Sequence, residues 1–500
     1  MLAGLTAGLY LAGIGSYPPG LYDDEASVGY NAWTIAHYGT DQFGNHLPLF
    51  FVDFGDYKGP VATYLAAPFA LLPLGATVAV RLPSALAGIA SVVIAARMAL
   101  RLTGSKPAAV VTMAAAALTP WVFLQSHTDM EGNILMVLGL TAACWCIVET
   151  RSAERAAGWW LAAGVALAVS VFTYAPARLL VVLVAGVALV THRKRVRLLL
   201  PFVAPLLAGY AILGAWSLSH PGALLARFEQ VGVFSGGRSP LAVVGRIAGN
   251  YLSYFGPDFL VVKGDGNARQ TTGFGGVLLS LTLPLIVLGA LRLWARRGDP
   301  LARFILIGTL VAPIPAALTL SAPHALRGAG LIPFLVLLMA EGTACLWSAL
   351  RSRHMFAVGA SMLLVASSTP YFVDYFTSYP ARAATAFDAG EGAALRAAYN
   401  AATAAHAELF LSASLNQPLI QLLYAIRAAP PQQDFVRETR ITVVVDRRQL
   451  RAVTRGDVLV LGVNDRPPSG ATLMLLVRGG NLVHAPASGS PQDLLRVYRA

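Results

Sequence analysis

Charge is what this 500-residue sequence has least of. Only 12% of its residues are Asp, Glu, Lys or Arg, where an ordinary soluble domain carries about 25%. Hydrophobic residues make up 56%, and the mean hydropathy is +0.61. A soluble globular protein and a disordered chain are thereby excluded. Cysteine is scarce as well. Cys144, Cys146 and Cys345 all fall inside apolar runs, without disulfide or zinc spacing, so a disulfide scaffold is excluded and redox chemistry has no support. Lysine occurs four times among 37 basic residues, and the net charge of +12 is carried by arginine. These arginines lie in short scattered groups with no aromatic interleaving, which suits membrane topology and anionic headgroups rather than nucleic acid. A Gly-Lys-Ser/Thr phosphate loop is missing, so ATP-driven transport has no motif.

What is present is a series of apolar runs long enough to cross a bilayer, which takes roughly 20 residues. They lie near 2–17, 79–100, 107–124, 132–149, 157–174, 178–191, 198–218, 273–294, 302–321, 325–348 and 355–370. The expected fold is mainly α, a polytopic bundle of about eleven transmembrane helices. The first run is short and has no basic residue before Lys58, so it reads as a span rather than a cleaved leader. Alternate connections are basic: Arg97, Arg101 and Lys106; Arg151 and Arg155; Arg193, Lys194, Arg195 and Arg197; Arg292, Arg296, Arg297 and Arg303; Arg351 and Arg353. The positive-inside rule makes these cytoplasmic. The opposite connections carry Asp23, Asp24, Glu25, Asp41, Asp53, Asp56, Asp129, Glu131, Asp258 and Asp265. The chemistry is therefore expected on the outer face.

Residues 1–370 form the membrane part, with long outer loops at 18–78 and 219–272. Residues 371–500 read as a small α/β domain outside the membrane. Helices are expected at 385–407 and 417–428, with strands at 408–415, 440–445, 457–463 and 472–477. No internal repeat is evident, against an inverted-repeat transporter.

Tyr22-Asp23-Asp24-Glu25 follows the first run, and a helix is expected from there to His37, stopped by Gly39. Asp23 or Asp24 is the expected N-cap. Val28, Ala32, Ile35 and Ala36 form its apolar stripe, while Tyr30, Trp33 and Tyr38 suit the headgroup level, so this helix lies along the bilayer surface. Capping alone would account for the acids, yet one can cap while another does chemistry.

The ordered set Asp24-Glu25-Ala26, Gly39-Thr40-Asp41, Gly44, Pro48, Tyr57-Lys58-Gly59-Pro60 and Arg81-Leu82-Pro83-Ser84 resembles the membrane-embedded GT-C glycosyltransferases. Its nearest likeness is to the family 39 branch of protein O-mannosyltransferases and lipid A aminoarabinose transferases. The resemblance is strongest over 18–180, looser to 330, and absent from the tail. It implies a polyprenyl-phosphate-linked sugar as donor, delivered on the outer face, and an acidic base in the first loop. The family's Asp-Glu pair falls on Asp24 and Glu25, and its phosphate-contacting lysine on Lys58. An acid that precedes this lysine in the family, and can help hold a metal, is Tyr57 here. No metal and no cofactor are therefore expected.

A hydroxyl acceptor must lose its proton as its bond to the anomeric carbon forms, and one positioned carboxylate can draw it off. Asp24 is the candidate base, with inversion at the anomeric carbon. Glu25, roughly 100° away around a helix, would hold Asp24 or the acceptor in place. The departing lipid phosphate needs cations. Lys58, Arg178 and Arg327 are the candidates, although snorkelling to headgroups would equally account for the arginines. Asp129, Glu131, His324 and Tyr254 are candidates for sugar or acceptor contacts, with helix capping the plainer role for the acids and a helix-start hydrogen bond for His324.

A flippase or transporter of lipid-linked sugars would gather ionisable groups at the bilayer midplane; here the spans are nearly free of them, Glu341 being the main exception. A polysaccharide ligase would use a diphosphate-linked donor and another motif set. The partners expected are a polyprenyl-phosphate-linked sugar, a protein, lipid or glycan acceptor, and membrane lipids, but no nucleic acid. Arg- and Ala-rich usage suggests a bacterium of high genomic GC, and so a bacterial inner membrane with a periplasmic active site.

Overall fold

The computed structural model describes residues 2–151, 156–234, 239–349, 353–444, 453–478, 480–484 and 493–500; Arg155, Arg351 and residue 445 of the sequence reading lie outside them. A helix occupies each of the eleven apolar runs. Among the described residues four helices are long and apolar enough to cross a membrane: Ala76–Thr103, Leu199–Ser219, Pro300–Ala317 and Ala325–Ala349. A fifth candidate is bent, Lys106–Leu118 meeting Pro120–Ser126 at 56°. Pro120 causes the break: its ring confines Thr119 to an extended conformation, φ −67° and ψ 122°. The shorter apolar helices are Leu2–Leu11, Asn133–Glu149, Ala156–Ser170, Ala177–Thr191 and Thr282–Ala295. Asn133–Glu149 and Ala177–Thr191 fill their runs, which are themselves shorter than 20 residues, whereas Leu2–Leu11 and Thr282–Ala295 cover only part of theirs. The chain is a multi-pass membrane protein.

The chain forms two compact units. The first comprises Met1–Ala12, Val52–Val61 and Ser84–Asp374. A tight helix crossing in it joins Thr282–Ala295 to Ile332–Ala349 through Gly289 and Gly342; a Cβ on either would lie 1.9 Å from a carbonyl oxygen of the other helix. Small residues allow such close approach where lipid offers no hydrophobic drive to associate. Beside this crossing, the buried Glu341 carboxylate takes Arg292 at 3.1 Å and Arg296 at 2.6 Å. Arg101–Glu149 (2.7 Å) and Arg151–Asp299 are further pairs, so the basic connections carry their own acids. The unit also holds most of a hairpin, β1 (Phe51–Asp53) and β2 (Asp56–Lys58).

The second unit comprises Gly13–Phe51, Ala62–Pro83 and Tyr375–Ala500. It contains the helix Asp23–Tyr38, stopped as expected by Gly39 at φ 70°. Its N-cap is Tyr22, not Asp23 or Asp24, because Glu25 reaches back to accept the Tyr22 N–H at 3.2 Å. A six-stranded sheet is built from β3 (Leu409–Ser412), β4 (Ile441–Val444), β5 (Val458–Gly462), β6 (Thr472–Arg478), β7 (Asn481–His484) and β8 (Asp493–Arg499), in the order β4-β3-β5-β8-β6-β7. β3 runs parallel to β4 and β5; the other pairs are antiparallel. Ala394, Leu395 and Ala398 of the helix Glu391–Ala404 pack with Leu409, Leu411, Val458, Val460, Val477 and Val497 as its core. The helix expected from 385 starts at Glu391, since Asp388 and Gly390 adopt left-handed backbone (φ 48° and 81°). β7 and β8 were not anticipated. Arg496 and Arg499 give β8 a polar look, although it lies between β5 and β6 within the sheet.

Candidate active site

In the first unit the site grows from the β1–β2 hairpin. Its two turn residues, Phe54 and Gly55, both have positive φ (49° and 76°), the requirement of the two-residue turns whose twist matches a hairpin. The turn brings Asp53 and Lys58 together, with Nζ 3.3 Å from the Asp53 carboxylate and 5.1 Å from the centre of the Phe54 ring. Glu131 approaches from the loop before Asn133–Glu149, 3.1 Å from the same ammonium. Its backbone is left-handed, φ 56°, and Gly132 follows at 72°, with the Gly132 N–H donated to Asp129 Oδ1 at 3.0 Å. The Lys58 side chain is only 8% exposed.

Other charges converge on these groups. Arg227 lies 3.8 Å from Asp56. Burial pushes the Glu131 carboxyl up, but Lys58, Arg227 and Arg327 outweigh it and hold the group below the usual carboxylate range. Asp56 moves the other way: burial raises its pKa, and the charges of Arg227 and Lys58 do not cancel that. Arg178, at the start of Ala177–Thr191, lies within electrostatic reach of Asp56 and Glu131. Lys58, Arg178 and Arg327 therefore share one neighbourhood. Arg227, which the sequence reading missed, belongs with them; a lone arginine in a long loop gives no signal of its own.

The turn that carries Arg327 is held from several sides. Asp265 accepts the Ala325 N–H at 2.7 Å, and the Tyr254 hydroxyl accepts the His324 N–H at 3.0 Å. Trp121 Nε1 donates to the Ala325 carbonyl at 2.8 Å, and Asn133 Nδ2 to the Leu326 carbonyl at 2.5 Å. Arg327 itself donates to Thr319 Oγ1 at 3.1 Å. Burial, then Arg327, Arg269 and Arg227, lower the His324 pKa to about 3, so its imidazole is neutral. Tyr254, a candidate for sugar or acceptor contacts, is fully buried, and its hydroxyl holds the 324 backbone. Asp129 is buried too and shapes the turn around Glu131.

Tyr57 precedes Lys58 in β2. Its ring packs edge-on against Trp216 and His220, at 5.2 and 6.0 Å. Among the described residues no group of three His, Cys, Asp or Glu side chains is placed to hold an ion.

In the second unit Asp23, Asp24 and Glu25 occupy the first turn of Asp23–Tyr38. Asp23 and Glu25 are buried, and Asp24 is the most exposed of the three. Both Glu25 oxygens are taken by Arg81, Nε to Oε1 at 2.7 Å and Nη2 to Oε2 at 2.9 Å. The remaining Arg81 N–H groups donate to the carbonyls of Ile14, Pro18 and Gly20. All five donors of the guanidinium are used. Arg81 was part of the motif but had no assigned role; its partner lies 56 residues away, so sequence spacing could not reveal it.

Residues 57–217 match the family described as dolichyl-phosphate-mannose-protein mannosyltransferase. No curated protein matches the sequence. In fold, the chain is similar to ArnT from Cupriavidus metallidurans in the apo state, with a TM-score of 0.61 and 14% identity over 99% of this chain and 96% of that one. It is likewise similar to the same protein bound to undecaprenyl phosphate, with a TM-score of 0.59 and 12% identity over 99% and 97%. An oligosaccharyltransferase from Archaeoglobus fulgidus, tethered to an acceptor peptide, gives a TM-score of 0.52 and 10% identity over 99% and 75%. The resemblance borne by the first outer loop is thus met by the whole architecture, and the chain has the fold of the GT-C superfamily of membrane glycosyltransferases.

Proposed function

We propose that this protein transfers a sugar from a polyprenyl-phosphate-linked donor to an acceptor at the outer face of a bacterial inner membrane. In this reading eleven helices span the bilayer, residues 1–370 carry the chemistry, and residues 371–500 form a periplasmic domain. The carrying observation is the buried Lys58 ammonium with Arg178, Arg227 and Arg327 around it, all drawn from loops or helix ends. Such a group suits an anion whose charge grows as it leaves. The complex of Cupriavidus ArnT with undecaprenyl phosphate supports that anion being a lipid phosphate.

In the reaction, Asp24 takes the proton of the acceptor hydroxyl while the acceptor oxygen bonds to the anomeric carbon. The bond from that carbon to the donor phosphate oxygen breaks, its electron pair leaves with the phosphate, and Lys58 and the arginines receive the lipid monophosphate. Displacement in one step inverts the anomeric centre. Asp24 is preferred as base because Glu25 is committed to Arg81 and Asp23 is buried; Glu25 is then a positioning residue.

Purified protein given polyprenyl-phosphate sugars and candidate acceptors should release free polyprenyl phosphate. Asp24→Asn should slow this by about 10²–10⁴, the usual contribution of a general base. Equal turnover by both proteins would remove Asp24 from the mechanism and turn attention to Asp129.

A further inference from the structure

The acids of the first outer loop and the tail from Tyr375 onward belong to one compact unit, although the tail carries none of the motif residues. The helix Asp23–Tyr38 and the segment leading into it are joined to the tail along their length. Gln421 Nε2 donates to the Leu21 carbonyl at 2.7 Å, one residue before the Tyr22 N-cap. The Tyr30 hydroxyl donates to the Ala428 carbonyl at 3.0 Å. A Cβ on Gly29 would lie 2.5 Å from the Tyr424 ring, and one on Gly20 would lie 2.3 Å from the Phe387 carbonyl oxygen. Both positions take glycine because the tail comes this close. Gln421 and Tyr424 are buried on the helix Pro418–Ile426.

The Gln421 contact completes the support of the acidic turn. Arg81 spends its five donors on Ile14, Pro18, Gly20 and Glu25, so the Leu21 carbonyl falls to Gln421. Asp24 lies three residues on, in the first helical turn, where a shift of the entering chain becomes a shift of the carboxylate. An apolar side chain would fill the seam between the two helices equally well. The amide adds direction, since a hydrogen bond fixes distance and angle while apolar burial fixes neither.

Building on the reading of Asp24 as base, we infer that the tail is a positioning domain for the acidic turn. Gln421 holds the Leu21 carbonyl, Tyr30 bonded to Ala428 is the second anchor, and together they keep the Asp24 carboxylate within reach of the acceptor hydroxyl. Gln421 is a positioning residue that acts through Asp24. A misplacement of about 1 Å at a reacting group can cost on the order of 10² in rate, which gives such a device its value.

The test uses the full chain in detergent as wild type, Gln421→Met, Asp24→Asn and the double variant. Single-turnover release of polyprenyl phosphate from a polyprenyl-phosphate sugar is followed, and the stoichiometry of undecaprenyl phosphate binding counts the folded protein. Methionine keeps the length of glutamine and removes the donor. Gln421→Met should slow release by about tenfold, the scale of one hydrogen bond, at unchanged stoichiometry and donor affinity. In the Asp24→Asn background the same change should cost less than about twofold, because a residue that acts through the base has nothing to act on once the base is gone. Tyr30→Phe removes one hydroxyl and keeps the ring; it should show the same dependence on Asp24, and it carries the test if Gln421→Met loses its binding stoichiometry. Equal losses in both backgrounds, or no loss in either, overturn this inference and leave Asp24 as base. Asp24→Asn turning over like wild type overturns the base reading and this inference with it, and wild type releasing no lipid phosphate overturns the donor reading as well.

Discussion

Arg81 in the second unit and Lys58 in the first are both buried cations that pair with glutamates, yet they serve opposite ends. Arg81 spends all five N–H groups, two on Glu25 and three on backbone carbonyls, and both side chains of the pair are sealed from solvent. Lys58 meets its carboxylates singly, through a flexible stem, with one acid on its own hairpin and the other on a strained loop. A planar guanidinium with every donor satisfied ties a loop down. A point-charge ammonium on a flexible stem is less tightly fixed to its partners. The same residue classes thus build a frame in one place and the proposed binding group in the other, and the geometry of the cation tells them apart.

Breaking the frame should have the largest effect. Arg81→Ala leaves the Glu25 charge buried without its partner, a loss of about 3–5 kcal/mol. Thermal unfolding in detergent should show little folded protein, and Arg81→Lys should not restore it, because an ammonium cannot span five planar donors. A melting curve like the wild type's would end the contrast. At the proposed binding group the cost to the fold should be smaller, since Glu131 keeps 15% of its side-chain surface where Glu25 keeps none: Lys58→Gln should lower transfer by about 10²–10³, the scale of losing one charge-stabilising donor, with unfolding shifted less than in Arg81→Ala. If Lys58→Gln unfolds the chain, Lys58 is a frame residue as well.

The smallest effect concerns an acid with no cation paired to it among the described residues. Glu391, buried at the start of Glu391–Ala404, is pushed well above the usual carboxylate range by burial and by the charges of Asp388 and Asp23. Its raised pKa means that the folded chain keeps a proton which the unfolded chain releases. Stability from this group is therefore whole below the ordinary glutamate pKa and falls as pH rises toward the raised one. Glu391→Gln should melt higher than wild type at about pH 8, and the gap should close near pH 4, where both states are protonated. A gap independent of pH would show that packing, not the proton, is responsible.

Hydropathy was enough to locate helices in all eleven runs, because burying apolar side chains in lipid is a local property read within some 20 residues. The acidic first turn of Asp23–Tyr38, its Gly39 stop and the motif around Lys58 were legible for the same reason. Where each helix ends was less so: Pro120 breaks the run at 107–124, and the first helix stops at Leu11 although its run continues to 17. β8 stayed hidden because its two arginines mask the alternation of a strand that tertiary contacts place within the sheet. Glu25–Arg81, Lys58–Glu131, Arg227–Asp56 and the use of Tyr254 as a backbone support join residues 56, 73, 171 and 70 positions apart. By itself the sequence determined a membrane chain of many helices, with its acids and its motif residues in the connections between them, since those follow from composition and short-range order. Which acid is exposed, which is locked and which faces the lysine were decided only by the tertiary structure, because an ion pair depends on distance in space and carries no mark in the order of the chain.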